Sequence, residues 1–459
     1  MKLWEYIKKG MLSHPTQSIC ENRAELSFED AVVWAEVFAK KLKGLRSCAV
    51  WCQSEMAAGL SLLACFSAGV TAIPLSARYG NIHCQKILDT ISPEAIITDR
   101  DNEIEVVKIT DSQYESPKRH PALILCTSGT TGRPKGAMLS DKNIITNVSD
   151  ITEYFGVDHT DTILLSRPLY HGAVLTGEFL TALVKGCNIR FCSEHFEPYR
   201  ILSLIQDYGI TAFCGTPTFL CMMAKFKRNL HVETLRHIGI SGECMGRDVG
   251  LSIARAFPHA KTYHLYGLTE AGPRVSYLPP ELFAEYADYV GVPLRSVSLK
   301  IMTEDGTECP PNVEGVLWVK GDNVMIGYYQ EPERTAQVLK DGWLCTGDIA
   351  VINEMGLLKI RGRSDDLIIK SGMNIYPAEV ESVMQQDPRV HGVYVYGFEN
   401  RFGTQIGMTI AGDFGSSEEV RQVCIDRLPV FQVPSRIELV SELPSNASGK
   451  IIRRRNGHD

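Results

Sequence analysis

The stretch Leu123–Ser140, LILCTSGTTGRPKGAMLS, begins as an apolar run and continues as a loop of glycines, hydroxyl groups and cations. The apolar run that ends at Cys126 predicts a buried strand. The residues after it offer hydroxyl donors, backbone N–H groups in conformations that glycine permits, and the cations Arg133 and Lys135. Successive N–H groups, hydroxyls and a cation suit a polyphosphate. The sequence therefore predicts a phosphate-binding loop directly after a buried strand.

The alternative interpretations of this stretch fit it less well. A flexible Gly/Ser/Thr linker is one of them, but a linker would not be expected to follow a buried strand directly and to carry its cations on the far side. A Walker A loop reads G-x-x-x-x-G-K-[ST], and the Rossmann fingerprint reads G-x-G-x-x-G. Neither spacing is present in this loop.

Composition and charge narrow the class of protein. The 459 residues have ordinary globular proportions, with 44% hydrophobic and 22% charged residues, and a formal net charge of −7 that argues against a nucleic-acid surface. No apolar run approaches the roughly 18 residues of a membrane span, and there is no signal-peptide pattern. The 14 cysteines lie mostly in apolar runs and form no CxxC pair. We therefore expect a cytoplasmic protein with reduced cysteines.

Helical and strand patterns alternate along most of the chain, which predicts an α/β fold with parallel sheets. We expect two α/β subdomains over residues 1–165 and 166–290, and then a small β-barrel-like subdomain over residues 291–362. These form an N-terminal core of residues 1–362. Residues 363–459 predict a separate α+β domain.

Local patterns add detail to this plan. Ser27 is a candidate N-cap of an amphipathic helix, residues 101–120 read as polar and irregular, and a helix is expected from Gly177 to Lys185. Two predicted strands end in Ser241-Gly242-Glu243 and in Gly267-Leu268-Thr269-Glu270. Ligands of open parallel sheets lie at the carboxyl ends of strands, so these loops are the expected site.

The sequence TSGTTGRPKG at residues 127–136 closely resembles the phosphate loop of the adenylate-forming superfamily, which comprises acyl-CoA synthetases, peptide-synthetase adenylation domains and luciferases. Further motifs follow in the family's order along the whole chain. The resemblance implies ATP and Mg²⁺, a mobile C-terminal lid, and contacts of Lys135 and Thr130 with the β- and γ-phosphates. The loop residues that it assigns to ATP are Thr127, Ser128, Gly129, Thr130, Thr131, Gly132 and Lys135.

Residues 263–270, YHLYGLTE, look like the family motif that holds adenine and places Mg²⁺. The resemblance implies that Glu270 binds the metal ion, Thr269 donates to the α-phosphate and Tyr266 stacks on adenine. Without the motif, an aromatic residue at a strand end would more often belong to a core than stack on a ligand. Its place in this motif favours stacking.

One position of this motif departs from the family. Asp, Asn or Gln usually stands where this chain has His264, and accepts a hydrogen bond from the adenine amino group. A neutral imidazole can accept through one nitrogen, so ATP is still the predicted nucleotide. Gly242 and Glu243 match the turn whose backbone lies along adenine in relatives.

The sequence WLCTGD, residues 343–348, is similar to the ribose-binding motif. The resemblance implies that the Asp348 carboxylate accepts both ribose hydroxyls and that Arg363 reaches the ribose and phosphate. Taken alone, Asp348 would read as a turn aspartate.

His171, in PLYHG, resembles the residue that gates the family's acid pocket. The next position, Gly172, is an aspartate in amino-acid-activating relatives, where it pairs with the substrate ammonium. A buried ammonium without that partner would cost several kcal/mol, which argues against an α-amino acid. The mostly apolar lining suits aryl and medium-sized aliphatic acids equally. The predicted pocket residues are His171, Gly172, Val174, Phe213, Gly215, Ser241, Gly267 and Ala271.

The C-terminal region carries two further motifs. PSNASGK, ending at Lys450, resembles the family's catalytic lysine loop, although a lysine on such a loop is by default a solvated charge. A cation that bridges carboxylate and phosphate would stabilise the transition state of adenylation. The stretch KSGMNIYPAE resembles the CoA-ligase motif, with Gly372 beside the pantetheine. Asp365 matches the family's hinge residue. Rotation about it would exchange the Lys450 and Gly372 motifs in the active site between the two half-reactions.

These motifs predict ATP-dependent activation of a carboxylic acid to an acyl- or aryl-adenylate, followed by transfer to a thiol, most simply that of CoA. Transfer to the phosphopantetheine of a separate carrier protein is the nearer alternative. A nucleotide-binding sensor without turnover is the more distant one.

Overall fold

The computed structural model describes residues 1–101, 103–127, 134–192, 197–227, 230–370, 373–400 and 403–444. In that part of the chain, no helix is both long and apolar enough to cross a membrane.

The strands up to the middle of the chain are β1 Ser18–Glu21, β2 Ala24–Ser27, β3 Ser47–Val50, β4 Thr71–Pro74, β5 Ala95–Arg100, β6 Glu103–Lys108, β7 Leu123–Thr127, β8 Lys135–Leu139, β9 Thr162–Leu165, β10 Asn188–Phe191, β11 Ala212–Gly215, β12 His237–Ile240, β13 Lys261–Gly267 and β14 Arg274–Leu278. The later strands are β15 Val292–Pro293, β16 Val297–Met302, β17 Gly315–Gly321, β18 Gly327–Tyr328, β19 Leu339–Lys340, β20 Trp343–Ile352, β21 Leu358–Arg363, β22 Ile368–Lys370, β23 Met373–Ile375, β24 Val390–Asn400, β25 Gly403–Gly412 and β26 Arg436–Val440.

The α-helices are α1 Leu3–Leu12, α2 Phe28–Ala39, α3 Glu55–Ala68, α4 Asn81–Ile91, α5 Asp141–Tyr154, α6 Gly172–Val174, α7 Thr181–Lys185, α8 Pro198–Tyr208, α9 Pro217–Phe226, α10 Arg247–Ala256, α11 Phe283–Tyr286, α12 Pro332–Val338, α13 Pro377–Met384 and α14 Ser417–Arg427. A π-helix, Leu175–Leu180, joins α6 to α7, and short 3₁₀ helices include Ala77–Tyr79, Thr269–Ala271 and Ser364–Asp366.

A seven-stranded sheet carries the phosphate-loop hairpin. Its order is β18-β8-β7-β4-β3-β5-β6. The central strands β7, β4, β3 and β5 pair in parallel, while β8 and β18 extend one edge and β6 the other in antiparallel fashion. The hairpin β7–β8 thus lies near one edge of the sheet.

A nine-stranded sheet, ordered β15-β14-β13-β12-β11-β9-β10-β1-β2, supplies the other strand-end loops. The six neighbouring strands β13, β12, β11, β9, β10 and β1 are parallel to one another. Strands β1, β2 and β9 all come from the first 165 residues, so sheet membership does not follow the expected division at that point. The predicted α/β class is confirmed, with two large sheets.

The two sheets share one core, in which α3 is buried on almost all sides. This helix contacts β1 of the larger sheet and β3, β4 and β5 of the smaller one. A helix that is apolar all round is stable only in such a position.

A five-stranded sheet follows, with β16-β17-β20-β19 in order and β21 on β20. It confirms the predicted β-rich region. The turn at Glu304-Asp305-Gly306 is closed by a hydrogen bond from the Thr303 N–H to the Thr307 carbonyl (2.9 Å). Strand β18 follows β17 in the chain, but it pairs with β8 of the seven-stranded sheet.

The C-terminal part has a core of its own, built on β24-β25-β26, the hairpin β22–β23 and helices α13 and α14. Two contacts join it to the five-stranded sheet: Arg361 Nη1 lies 2.8 Å from Glu379 Oε1, and the Tyr376 hydroxyl donates to Glu314 Oε2 (2.7 Å).

Two local expectations were wrong. Residues 101–120 are not wholly irregular, because β6 forms an exposed edge strand on β5; its charged residues hide the alternation of Ile104 and Val106. The helix expected from Gly177 begins at Gly172 and passes through the π-helix, in which Gly177 lies. The predicted N-cap is confirmed, since the Ser27 side chain accepts from the Asp30 N–H.

Candidate active site

The phosphate-loop hairpin places a threonine and a lysine side by side. Thr127 is the last residue of β7 and pairs with Lys135, the first residue of β8. Both ends of the predicted phosphate loop are therefore fixed by the sheet.

Lys135 lies close to a tyrosine and a carboxylate. The Tyr328 hydroxyl donates to Glu270 Oε1 (2.7 Å), and Lys135 Nζ lies 5.6 Å from the centre of the Tyr328 ring. The Met325 N–H donates to the Glu270 carbonyl (2.9 Å), which ties this segment to the loop after β13. Burial and the charge of Arg334 lower the pKa of Lys135, and Glu270 opposes that shift. The group can hold phosphate oxygens through its cation and a metal ion through its carboxylate.

The described residues contain no group of three His, Cys, Asp or Glu side chains that could hold a metal ion by themselves. Mg²⁺ characteristically uses one or two carboxylates together with substrate phosphates. Glu270 therefore fits such an ion as a single protein ligand, with ATP supplying the others.

A second carboxylate is held between a tyrosine and an arginine. Asp348, on β20, lies directly opposite Arg363 of β21 and is 6% exposed. Its Oδ2 accepts from the Tyr266 hydroxyl, and its Oδ1 accepts from Arg363 Nη1 (3.1 Å). Burial raises the pKa of Asp348, while Arg363 and Tyr266 act against that shift. Both oxygens are fixed and each retains acceptor capacity, which suits a diol.

His264 is buried and engaged with backbone. Its Nδ1 lies 3.0 Å from the Ala287 carbonyl oxygen, which can only accept, so Nδ1 carries a proton. Burial lowers the pKa of His264 to about 4, against the effect of the carbonyls of Ala287 and Tyr289. The imidazole is therefore neutral at pH 7.

The turn after β12 is held by its own carboxylate. Gly242 has φ +97°, a conformation that glycine adopts without strain. Glu243 Oε2 accepts from the Thr218 hydroxyl (2.7 Å) and from the Thr218 N–H (3.2 Å) at the start of α9. The Ser241 hydroxyl is buried and has no hydrogen-bond partner among the described residues.

His171 lies in an aromatic cluster beside the phosphate-loop strand. Its Nε2 is 2.7 Å from the Tyr79 hydroxyl, and the Tyr79 and Tyr170 rings lie 5.1 Å apart. The Tyr170 hydroxyl donates to the Cys126 carbonyl (2.7 Å), at the end of β7. The predicted acid-gating residue is thus tied to the strand that leads into the phosphate loop.

Close packing favours a glycine at position 172. A Cβ there would lie 2.8 Å from Leu125 Cδ1 and 3.6 Å from Pro273 Cβ. At Gly267 a Cβ would lie 1.7 Å from the Pro273 carbonyl oxygen. The loop after β13 and the helix after His171 therefore approach each other through backbone and small side chains.

The remaining predicted pocket residues divide between two core clusters. Val174 and Ala271 are buried in the core shared by the large sheets. Phe213 packs in the cluster of α8, α9 and α10, where its ring lies 6.3 Å from that of Phe219. A Cβ on Gly215 would lie 3.3 Å from Phe213 Cε1, so this phenylalanine covers Gly215.

With this geometry the comparison with known proteins is informative. A model of the AMP-binding enzyme family matches residues 17–329, and a model of the AMP-binding enzyme C-terminal domain matches residues 379–450. The chain belongs to the AMP-binding enzyme family. The resemblance to adenylate-forming enzymes that the motifs indicated is confirmed.

Curated relatives of this AMP-binding enzyme include CoA ligases. It is 33% identical to a long-chain-fatty-acid–CoA ligase of Haemophilus influenzae over 74% of this chain and 63% of that protein. It is 30% identical to a feruloyl-CoA synthase of Amycolatopsis over 86% of this chain and 84% of that protein. The chain therefore spans less than two thirds of the first relative and most of the second.

Solved structures match the AMP-binding enzyme along nearly its whole length. O-succinylbenzoate coenzyme A synthetase (MenE) from Bacillus subtilis, in complex with AMP, gives a TM-score of 0.83 at 25% identity, covering 99% of each chain. ATP-bound MatB from Rhodopseudomonas palustris gives 0.84 at 26% identity, covering 98% of this chain and 97% of that one. The predicted large N-terminal and small C-terminal domains are confirmed by these matches.

Several predicted residues of the AMP-binding enzyme lie outside the described residues. They are Ser128, Gly129, Thr130, Thr131 and Gly132 of the phosphate loop, Gly372 of the CoA-ligase motif, and Lys450. Thr269 and Asp365 are described, each in a short 3₁₀ helix.

Sequence reasoning missed two tyrosines of the AMP-binding enzyme. Tyr328 holds Glu270, and Tyr79 faces His171. Tyr328 follows Gly327 in a two-residue strand that carries no periodicity, and Tyr79 lies in a 3₁₀ turn. The only available signal was their aromatic character next to turn residues, which is common in any loop.

Proposed function

We propose that this AMP-binding enzyme is an ATP-dependent acid–thiol ligase. In the first step a carboxylate attacks the α-phosphate of Mg·ATP, a C–O–P bond forms, and pyrophosphate leaves. In the second step a thiolate attacks the acyl- or aryl-adenylate, a thioester forms, and AMP leaves. Both steps are group transfers and need no oxidant or reductant.

The observation that carries this proposal is the placement of two carboxylates, each held by a tyrosine, on different elements: Glu270 in the 3₁₀ helix after β13 and Asp348 on β20. Glu270 lies beside Lys135 at the base of the phosphate loop. Asp348 lies between Tyr266 and Arg363. One arrangement suits a metal-bound polyphosphate and the other suits a ribose diol, and a nucleoside triphosphate carries both.

We propose the following roles for the chain's residues. Lys135 and the loop residues hold the β- and γ-phosphates, and Thr269 donates to the α-phosphate. Asp348 and Arg363 anchor the ribose, while Tyr266, His264 and the turn at Gly242 and Glu243 lie on the adenine side. A Mg²⁺ ion held by Glu270 would offset the charge of the phosphate oxygens. Lys450 stabilises the charge that develops between carboxylate and α-phosphate.

For the second step we propose that the C-terminal domain turns about Asp365 and brings Gly372 beside the thiol. CoA is the proposed acceptor, since the curated relatives include proteins named CoA ligases and synthases. The proposed acid is not an α-amino acid, because Gly172 is enclosed by Leu125 and Pro273 and offers no carboxylate. The names of the relatives include fatty-acid and feruloyl substrates, so both aliphatic and aryl acids are candidate substrates.

We further propose that the enzyme works in the cytoplasm. All 14 cysteines lie in the described residues and none is paired in a disulfide, which supports a reducing compartment.

The proposed function is tested by ATP–pyrophosphate exchange with a panel of aliphatic, aryl and dicarboxylic acids. Exchange above background with at least one acid is expected. Background exchange across the whole panel would favour a nucleotide-binding sensor instead. The acceptor is then tested by presenting CoA, or purified carrier proteins with phosphopantetheine, to the preformed adenylate. Thioester on the carrier alone would replace CoA by a carrier protein in the second step.

A further inference from the structure

A buried group of charges lies behind the predicted acid pocket and has no part in the roles given above. Arg167 Nη2 lies 2.6 Å from Glu178 Oε1, and the side chains are 6% and 1% exposed. Arg274, the first residue of β14, is 2% exposed. Burial raises the pKa of Glu178, and the positive charges of Arg167 and Arg274 oppose that shift. Two buried cations therefore lie near one carboxylate, and only Arg167 is paired with it.

The charges in this group do not balance. Arg167 and Arg274 are the charged groups that interact electrostatically with Glu178. The neighbouring thiol of Cys214 interacts with the same two arginines and with Glu178. Next to Arg274 lies the Tyr154 hydroxyl, a neutral group whose pKa is raised by burial and lowered by Arg274. The described residues thus give this interior a net charge of one positive unit, which is costly without a partner.

The hydrogen-bond donors of the group are also incompletely used. Among the described residues, Nε of Arg167 and Nε of Arg274 are both buried without a hydrogen-bond partner, and Arg274 forms no ion pair. A guanidinium presents its donors in a planar fork that matches a carboxylate. Buried arginines in proteins normally use these donors.

The chain makes room for Arg274 and fixes its backbone. A Cβ on Gly177 of the π-helix would lie 3.2 Å from both Nε and Nη2 of Arg274, so a side chain there would crowd the guanidinium. The Arg274 N–H donates to Asn147 Oδ1 (3.1 Å), and its carbonyl accepts from Asn147 Nδ2 (2.8 Å). A β-bulge after Tyr266 pairs Arg274 with Gly267, a predicted pocket residue.

Arg274 is also connected to the predicted acid pocket. Asn323 Nδ2 donates both to the Ala271 carbonyl (2.7 Å) and to the Arg274 carbonyl (3.1 Å). The Thr176 hydroxyl lies within hydrogen-bond distance of the Gly172 carbonyl (2.9 Å) and the Gly272 carbonyl (3.1 Å). The guanidinium therefore lies on the same short segment, and against the same helix, as the residues expected to surround the acid.

We propose that Arg274 determines specificity by binding a second carboxylate of the acid substrate, so that the enzyme activates dicarboxylic acids. The distal carboxylate would neutralise the excess positive charge and accept from Nε of Arg274, which has no partner among the described residues. The carboxylate that is activated would lie at the other end, near His171. This inference rests on the proposed function and adds the substrate class.

The test compares dicarboxylic acids from succinic to sebacic acid with monocarboxylic acids of the same carbon number, by ATP–pyrophosphate exchange. For the wild type the ratio of kcat/KM, dicarboxylic over monocarboxylic, is expected to exceed one for at least one pair. Arg274→Met should lower that ratio about 100-fold, since it removes the partner of a buried charge. Arg295→Met is the matched control: Arg295 is 64% exposed, pairs with Asp150 and Glu153, and its loss should leave the ratio unchanged.

Glu178→Gln gives a second measurement with the opposite sign. It removes the only acidic member of the group, so the KM of the preferred dicarboxylic acid should fall several-fold, an improvement that structural damage would not produce. If Arg274→Met does not fold, this variant decides alone. A wild-type ratio below one for every pair, an unchanged ratio in Arg274→Met, or a raised KM in Glu178→Gln would each overturn the inference. Exchange with monocarboxylic acids only would leave the proposed ligase function standing, whereas no exchange with any acid would reject that function itself.

Discussion

At the scale of single residues, the hydroxyl of Tyr328 is the contact that fixes the carboxylate of Glu270. Tyr328→Phe removes this donor and keeps the ring beside Lys135. We expect kcat/KM for ATP in pyrophosphate exchange to fall about 10-fold, in keeping with one lost hydrogen bond to a charged group, and the Mg²⁺ concentration needed for half-maximal exchange to rise.

Tyr329→Phe is the matched control, because the neighbouring tyrosine accepts from the Glu115 N–H (3.0 Å) and does not touch Glu270. Equal losses in the two variants would show that Tyr328 contributes to packing and not to the position of the carboxylate.

His264 makes stability depend on pH. Its pKa is about 4 in the folded protein, against an ordinary value of 6.5, so the unfolded chain binds more protons between these values and stability rises with pH across this window. As the pH falls from 6.5 to 4, the wild type should lose about 3 kcal/mol that His264→Gln does not lose. Urea unfolding at a series of pH values measures the difference.

His259→Gln, at an exposed histidine, is the control for this series and should follow the wild-type curve. Parallel pH curves for the wild type and His264→Gln would contradict the buried neutral imidazole.

Sequence reasoning identified residues that belong to motifs and missed those that support them. Glu270, Asp348 and Arg363 could be named in advance because their chemistry is tied to a fixed pattern of neighbours. Tyr328 and Tyr79 are brought to the site by pairing between distant segments, which no local pattern records. Likewise, the buried charge of Arg274 is visible only once Gly177 and Glu178 are packed against it.

At the scale of elements, the bulged pair β13–β14 controls how close the chain can approach itself. A Cβ on Gly267 would lie 1.7 Å from the Pro273 carbonyl oxygen, and this backbone atom cannot rotate away. Gly267→Ala should therefore lose at least about 2 kcal/mol of unfolding free energy, with a loss of pyrophosphate exchange because Thr269 and Glu270 follow directly. Urea unfolding and exchange assays measure the two effects.

Gly156→Ala is the comparison for this substitution, since a Cβ there would meet its nearest atoms, His237 Cε1 and the Tyr263 hydroxyl, at an ordinary 3.4 Å. A Gly267→Ala protein as stable as Gly156→Ala would refute the close approach.

Elements with a strong period were predicted well, and those without one were not. Strand β7 lies at Leu123–Thr127, where the apolar run that ends at Cys126 predicted a buried strand. Strand β6 was missed because an exposed edge needs few apolar residues. The start of α6 was missed because Gly172 resembles a break, whereas in the structure it begins the helix and packs closely against Leu125.

At the scale of the whole molecule, the proposed function assigns the two half-reactions to different motifs of the C-terminal domain. Lys450→Ala should reduce adenylation at least about 100-fold, the usual loss when one stabilising group is removed. A supplied acyl-adenylate should still be converted to the CoA thioester, because that step uses the Gly372 motif. Single-turnover assays of each half-reaction measure both rates.

Arg455→Ala removes a cation from the same terminal stretch and is expected to leave both rates unchanged. Equal loss of both half-reactions in Lys450→Ala would contradict the division of roles.

The order of domains along the chain was predictable, but the way in which segments interleave was not. Strand β1 pairs with β10 and β18 pairs with β8, so each large sheet takes strands from distant parts of the sequence. Such pairings depend on three-dimensional closure and leave no mark on local composition.

The two-residue strand β18 has a consequence for how the protein is made. It covers β8, the strand that follows the phosphate loop, from roughly 190 residues further along the chain. At about 5–20 residues per second, the ribosome needs some 10–40 s to make that distance. During this interval the edge of β8 has no partner from its own chain, and an open edge invites pairing with other chains. The nascent protein therefore exposes an aggregation-prone edge beside its future nucleotide site, and a chaperone that binds early would protect this edge.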